Sequence, residues 1–295
     1  MATVVCLIAD PARRPLDATL VERARRALPE TEIEWLSAGE ALELGPVELE
    51  PTVAQRLVRD ALDAEPVDVC ALPFEGRRKR LLLCDMDSTI IEVECIDELA
   101  DALGLKAEIA EVTRRTMNGE IPFEQSLPSR VELLAGLPET TLSEIAEGRT
   151  PLTPGATTLV RTMRANGAAS ALVSGGFTYF TRRVRERVGF DIDRANVLEL
   201  RDGKLTGKVV PPLLGQDAKV ATLAELRTAH GLGDDDVLAV GDGANDIPML
   251  QAAGLGVAFR AHQTVRAAVP HRLDVADLTG VLFLQGYRRE QFVEN

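Results

Sequence analysis

The sequence predicts an α/β protein with a largely parallel sheet, a helical insert after the first strand of that sheet, and a small α+β module in front. Three observations predict it. From Leu81 onward, apolar runs of strand length alternate with segments of helical period, a pattern met by parallel strands joined through right-handed helical crossovers. The stretch of about 96–148 has periodic apolar positions and few strand signals. Residues 1–76 carry a separate β-α-β-β-α-β order, so the boundary is drawn at 76, with 77–295 as the larger unit.

In the first module, Val4–Ala9 reads as a strand and Leu16–Leu28 as an amphipathic helix. Glu32–Leu36 alternates like a strand, and Val47–Leu49 reads as a further short one. Thr52–Leu62 reads as a helix and Val67–Leu72 as the closing strand. This order is similar to the ferredoxin-like layout of ACT regulatory domains. A packing or dimerisation domain fits it as well as an amino-acid sensor does, and its sheet offers a surface for pairing as a homodimer. The run Arg77-Arg78-Lys79-Arg80 reads as a solvated linker.

The larger unit opens with a buried strand, Leu81–Cys84, followed by the helical insert. Val160–Ala165 reads as a helix, Ser170–Val173 as a strand and Tyr179–Val188 as a helix. Leu198–Val210 carries Asp202-Gly203 between strand-like flanks, a hairpin signal. Lys219–His230 then reads as a helix and Val237–Val240 as a buried strand.

Composition narrows the function classes. At 295 residues the chain suits two modules, and 45% apolar residues supply an ample core that aliphatic side chains must fill, since aromatics are only 4%. A net charge of -13 argues against a general nucleic-acid surface. Cys6, Cys70, Cys84 and Cys95 show no metal-ligand spacing and read as reduced and buried, which fits a cytoplasmic protein. The apolar start, Thr3 to Ala9, lacks a basic flank and meets Asp10-Pro11 too early for a signal peptide. No apolar run approaches the roughly 20 residues that span a bilayer.

Chemistry gathers where the strands end. Asp85 and Asp87 follow Leu81–Cys84, and a regular continuation of the strand would turn both to one side. Two carboxylates there are costly without a cation or hydrogen bonds, and that end of an open sheet is where ligands bind. Ser174-Gly175-Gly176 ends a second strand and brings a hydroxyl and flexible backbone suited to phosphate oxygens. Lys219 opens a helix, and Asp242, Asn245 and Asp246 lie in a glycine-rich segment after a third strand, a plausible hard-cation site. Singly, Ser-Gly-Gly is an ordinary turn and a lysine an ordinary surface charge. Their order and placement together decide otherwise.

Taken together, Asp85-Met86-Asp87-Ser88-Thr89, Ser174-Gly175-Gly176, Lys219 and Asp242 to Asp246 resemble the four motifs of the haloacid-dehalogenase-like superfamily. The resemblance implies a Rossmann-like parallel-sheet hydrolase core with a helical cap. It also implies an aspartyl-phosphate mechanism, with Asp85 as nucleophile and Asp87 as general acid and base. Mg²⁺ would be held by Asp85, the Asp87 carbonyl and Asp242, with Asp246 close by, and Ser174, Gly175, Gly176 and Lys219 would bind the phosphoryl oxygens. Longer strings are similar to one family within it, the phosphoserine phosphatases: Glu94 with Ile96-Asp97-Glu98, Met117-Asn118-Gly119-Glu120, Phe123-Glu124-Gln125-Ser126-Leu127 with Arg130-Val131, and Leu284-Gln285-Gly286-Tyr287. That resemblance implies a phosphoamino acid substrate, with Glu94 on its ammonium, Arg130 on its carboxylate, Asn245 on substrate or phosphate, and Met117 and Phe123 as an apolar wall. Without the resemblance, these cap residues would read as helix charges and cap core. A phosphotransferase using an alcohol acceptor and a silent amino-acid sensor are the competing readings. His230, His262 and His271 fall in no motif and take no catalytic role.

Overall fold

The computed structural model describes residues 2–294. The chain begins with β1 (Thr3–Ala9), α1 (Ala18–Arg26), β2 (Ile33–Ser37), β3 (Ala41–Val47), α2 (Pro51–Leu62) and β4 (Val67–Pro73). These strands form an antiparallel sheet in the order β2-β3-β1-β4, the spatial order of a ferredoxin-like sheet. One correction falls here. The third strand is Ala41–Val47, not Val47–Leu49, because Leu42 and Leu44 supply its buried face while Leu49 lies beyond its end.

Both faces of this sheet are covered. Val5, Leu7, Leu42 and Leu44 pack under α1 and α2 with Leu20, Ala24, Ala54 and Val58. Cys6, Ile8, Leu36, Ala41, Cys70 and Leu72 belong instead to the main core, together with Phe283 and Tyr287. The edge strand β4 is held as well. Buried Asp68 accepts hydrogen bonds from the backbone N–H groups of Asp274, Val275 and Ala276, the shortest 2.7 Å.

The basic run joins the two sheets with Arg78 and Arg80 exposed, but it is not wholly solvated, since Arg77 and Lys79 are partly buried. Arg77 makes a two-pronged ion pair with Glu43, which is buried on the covered sheet face. Arg78 lies 4.2 Å over the Tyr287 ring, and Lys79 Nζ donates to the Asp235 carbonyl at 2.7 Å. Unpaired cations would be expelled to water; these found partners on both sides of the junction.

The second sheet is built from β5 (Leu81–Cys84), β6 (Ala169–Phe177), β7 (Ile192–Arg201), β8 (Lys204–Val210), β9 (Val237–Gly241), β10 (Leu255–Phe259) and β11 (His271–Leu273). Its order is β11-β10-β9-β5-β6-β7-β8, parallel throughout except for the β7–β8 hairpin. Of the five helices between β5 and β6, the first four form the cap: α3 (Cys95–Asp101), α4 (Lys106–Met117), α5 (Phe123–Glu132) and α6 (Glu139–Gly148). The remaining helices are α7 (Ala156–Ala165), α8 (Thr178–Val188), α9 (Gln216–Ala229), α10 (Ile247–Ala252), α11 (Gln263–Ala268) and α12 (Gly280–Leu284).

Connections run from β5 to β6 on one side and return to β9 on the other, so β5 and β9 flank the switch point where α/β sheets bind ligands. The cap is fastened to the core at both ends. Its two connecting strands pair through Glu92 N–H to the Pro151 carbonyl, and the hairpin joins it through Gly136 N–H to the Leu205 carbonyl. At the far end Thr264 Oγ1 donates to the Asn118 carbonyl at 2.9 Å, and His262 Nδ1 lies 3.0 Å from Asn118 Oδ1. No helix among the described residues is long and apolar enough to cross a membrane. All four cysteines are free and buried.

Candidate active site

Strand β5 stops at Cys84, and the chain then makes a single wide turn over Met86–Ile90. Asp87 stays extended while Ser88 takes a left-handed φ of 55°, a conformation uncommon outside glycine. Asp85 and Asp87 both line one cavity, and the kink at Ser88 redirects the chain after them. The hydroxyls after them are in use: Thr89 Oγ1 donates to Asp242 Oδ1 at 2.7 Å and Ser88 Oγ to Glu94 Oε1 at 2.7 Å.

Asp85, Asp242 and Asp246 are buried, and one oxygen from each lies within 4.8 Å of the others. Lys219, on the first turn of α9, is also buried; its Nζ stands 2.8 Å from Asp85 Oδ1 and 2.6 Å from Asp246 Oδ1. Asp246 is further held by the backbone N–H groups of Asp242 and Gly243. Burial, and then repulsion from the neighbouring carboxylates, pushes the carboxyls of Asp85 and Asp242 well above the usual carboxylate range. Burial alone would lower the Lys219 ammonium, but Asp246 and Asp85 outweigh it and raise it. One ammonium cannot neutralise three carboxylates. An all-oxygen set of this kind fits a hard divalent cation, which would restore the balance.

Asp87 points away from that cluster. Its Oδ1 accepts from the Cys95 N–H at 2.8 Å and its Oδ2 from Ser174 Oγ at 3.1 Å. Burial raises its carboxyl and these hydrogen bonds oppose the shift, so it holds a proton more readily than an exposed aspartate. Gly176 N–H donates to Ser174 Oγ at 2.8 Å. Strand β6 runs on to Phe177 rather than ending at Val173, and its register with β7 breaks between those two residues. Glycine is required in that break: a Cβ on Gly176 would stand 2.7 Å from Asp87 Oδ2, and one on Gly175 2.7 Å from the Phe123 ring.

The cap closes the other side. Glu94, Met117, Phe123 and Arg130 line the same cavity as Asp85, Asp87, Ser174, Asp242 and Asn245. Burial, then Asp87 and Asp242, pushes the Glu94 carboxyl well up. Asn245 lines the cavity, and its Oδ1 is buried with no protein hydrogen-bond partner among the described residues. All the residues singled out from the sequence therefore gather here or, for Lys219 and Asp246, directly behind.

Sequence reasoning missed Asn196 and Thr113. Buried Asn196 donates to the carbonyls of Gly175 and Leu214 and accepts from Leu214 N–H, tying the glycine loop to the segment that leads into α9. Its only signal was a polar side chain within an otherwise strand-like run, which names no partner.

The haloacid dehalogenase-like hydrolase family matches residues 82–251. The chain belongs to this family. Among curated relatives of this haloacid dehalogenase-like hydrolase is a phosphoserine phosphatase of Streptomyces coelicolor, 41% identical over 264 residues. That match covers 89% of this chain and 62% of the relative, so the chain spans less than two thirds of that protein's length. The hydrolase is also similar to a solved phosphoserine phosphatase described as a phospho-aspartyl intermediate analogue, with a TM-score of 0.67, 37% identity, and 70% and 98% of the two chains covered. An unliganded probable phosphoserine phosphatase from Vibrio cholerae matches with a TM-score of 0.77 and 33% identity, covering 98% of this chain and 88% of that one. The likeness to the Vibrio structure extends through the N-terminal sheet.

Proposed function

We propose that this chain is a Mg²⁺-dependent phosphoserine phosphatase, hydrolysing O-phosphoserine to serine and phosphate, the last step of serine biosynthesis. One observation carries the substrate reading: a guanidinium, Arg130, and a carboxyl, Glu94, line one cavity with the Asp85 and Asp87 pair. A phosphate ester bearing both a carboxylate and an ammonium matches that charge layout.

Asp85 Oδ attacks phosphorus, and the bond from phosphorus to the serine oxygen breaks. Asp87 gives its proton to that oxygen as serine leaves, then takes a proton from the water that attacks the phosphoaspartate, releasing phosphate and restoring Asp85. Ser174, the Gly175 and Gly176 backbone and Lys219 hold the phosphoryl oxygens. Glu94 binds the ammonium and Arg130 the carboxylate. Asn245 accepts from or orients the substrate, while Met117 and Phe123 exclude water. Asp85, Asp242 and Asp246, with the Asp87 carbonyl, would hold Mg²⁺, which supplies positive charge against the phosphate and the carboxylates. Residues 1–76 form a packing unit for the hydrolase, and pairing through its free edge would make a homodimer. The enzyme acts in the cytoplasm on a small molecule, not on nucleic acid or membrane.

Phosphate release from phosphoserine, phosphothreonine, phosphoethanolamine, phosphoglycolate and a sugar phosphate, with Mg²⁺ or EDTA and Asp85→Asn as the blank, tests this. Mg²⁺-dependent preference for phosphoserine over phosphoethanolamine is expected, because the latter lacks the carboxylate. Preference for another ester refutes the substrate assignment, and no turnover by folded, metal-supplied protein refutes the phosphatase reading.

A further inference from the structure

Arg130 is 3% exposed, and its guanidinium carries five N–H bonds to satisfy. Nε donates to the Ser126 carbonyl at 3.3 Å, Nη2 to Ser126 Oγ at 3.2 Å and Nη1 to Thr113 Oγ1 at 2.9 Å. One N–H remains on each terminal nitrogen, and such a pair is what a carboxylate accepts in parallel. The protein contacts therefore select which edge of the guanidinium is presented to the cavity.

Ser126 is local to this arrangement, lying one turn before Arg130 on α5. Thr113 is not. It is buried on α4, and its hydroxyl has a carboxylate neighbour on another helix: Asp97 Oδ1 of α3, at 2.9 Å. The same hydroxyl also lies 3.0 Å from the Ile109 carbonyl one turn back, the ordinary resting place of a threonine inside a helix. Only one hydrogen is available for those two acceptors. Directed at Asp97, it links α3, α4 and α5 through one oxygen and leaves the lone pairs for Arg130. Directed at Ile109, it leaves the Arg130 contact in place but gives up the link to Asp97 and α3.

We infer that Thr113, backed by Asp97, is the positioning residue that fixes Arg130 for a substrate carboxylate. The inference rests on the phosphoserine reading. Its place in the cap would set selectivity for the amino-acid end of the substrate without touching phosphorus.

The test is steady-state kinetics of the Mg²⁺-supplied full chain on phosphoserine and on phosphoethanolamine, for wild type, Thr113→Val, Thr113→Ser and Asp97→Asn. Thermal midpoints establish that each variant folds. Thr113→Val should raise the KM for phosphoserine about tenfold with kcat held within about threefold, the mark of lost uniform binding. Its kcat/KM on phosphoethanolamine should stay within about twofold of wild type, and Thr113→Ser should restore the phosphoserine KM. Asp97→Asn should move the phosphoserine KM in the same direction, and carries the test alone should Thr113→Val not fold. Equal losses on both substrates, or an unchanged phosphoserine KM, would overturn the inference while leaving the enzyme a phosphoserine phosphatase. A wild type with no preference between the two esters would sink the substrate reading and this inference with it.

Discussion

Gly175 couples the phosphate loop to the cap, and adding one methyl group there should pry them apart. Its φ lies outside the left-handed range, so alanine fits the backbone; the obstacle is the Phe123 ring. An added Cβ would stand 2.7 Å from Phe123 Cζ and 2.9 Å from Cε2, against 3.4 Å or more in ordinary contact. The ring must retreat by about 0.7 Å, and it is 8% exposed at the start of α5, with the cap core behind it. Overpacking of this size costs about 1–3 kcal/mol. The least damaging relief is a shift of the cap away from the core, which charges that cost to closure over substrate. KM for phosphoserine should then rise roughly 5- to 150-fold in Gly175→Ala, using about 1.4 kcal/mol per tenfold change. The assay is a double-mutant cycle with Phe123→Leu, reading kcat, KM and thermal midpoint for all four proteins. Phe123→Leu should recover most of that loss when combined with Gly175→Ala. Additive losses, with no recovery in the double variant, would refute the argument that the ring is what the methyl group meets.

Three further outcomes are expected. Lys219→Met, which keeps much of the side-chain bulk but leaves Asp85 and Asp246 without their ammonium, should lower kcat/KM by more than about 100-fold; phosphatase assays within tenfold of wild type, on that order of comparison, would contradict the role given to this residue. Asp68→Ala strips an acceptor from three backbone N–H groups at the junction of the two sheets. It should cost about 2–4 kcal/mol, seen as a fall of roughly 3–6 °C in thermal midpoint, and a change under about 1 °C would show that water replaces the carboxylate at no cost. Asn196→Leu removes both donors that clasp Gly175 and Leu214. Calorimetry and kinetics should both register it, with a loss of about 2–4 kcal/mol in stability and at least about tenfold in kcat/KM; full activity would mean the glycine loop holds its shape unaided.

The same residues show how far sequence reasoning reaches. Strand β5, the helical insert, the β7–β8 hairpin and strand β9 were legible because burial and period are local properties of a chain. So were Asp85, Asp87 and Asp242, since charged groups at the ends of apolar strands need a chemical reason to be there, whereas Lys219 was singled out only by the superfamily resemblance. The third strand of the first sheet was displaced by several residues because Gly45 and Pro46 interrupt its pattern. The elements beyond Asp246 were passed over because they are only three to six residues long.

What tertiary structure alone decided is who meets whom. Asp85 and Asp87 share their cavity with Glu94 and Arg130, a meeting that strand alternation does not foresee. Arg77 has the composition of a linker residue, yet it is buried against Glu43 because the covered face of the first sheet leaves that carboxylate inside. Thr113, Asp97 and Arg130 look like unremarkable helix positions until three helices bring them within hydrogen-bond reach. By itself the sequence determined the sheet, the cap and the set of reactive groups, because hydrophobic period and the cost of burying charge act along the chain. It could not determine the partners of Glu43, Asn196 or Thr113, because a hydrogen bond is satisfied by proximity in space, and proximity here spans from 17 to 34 residues along the chain.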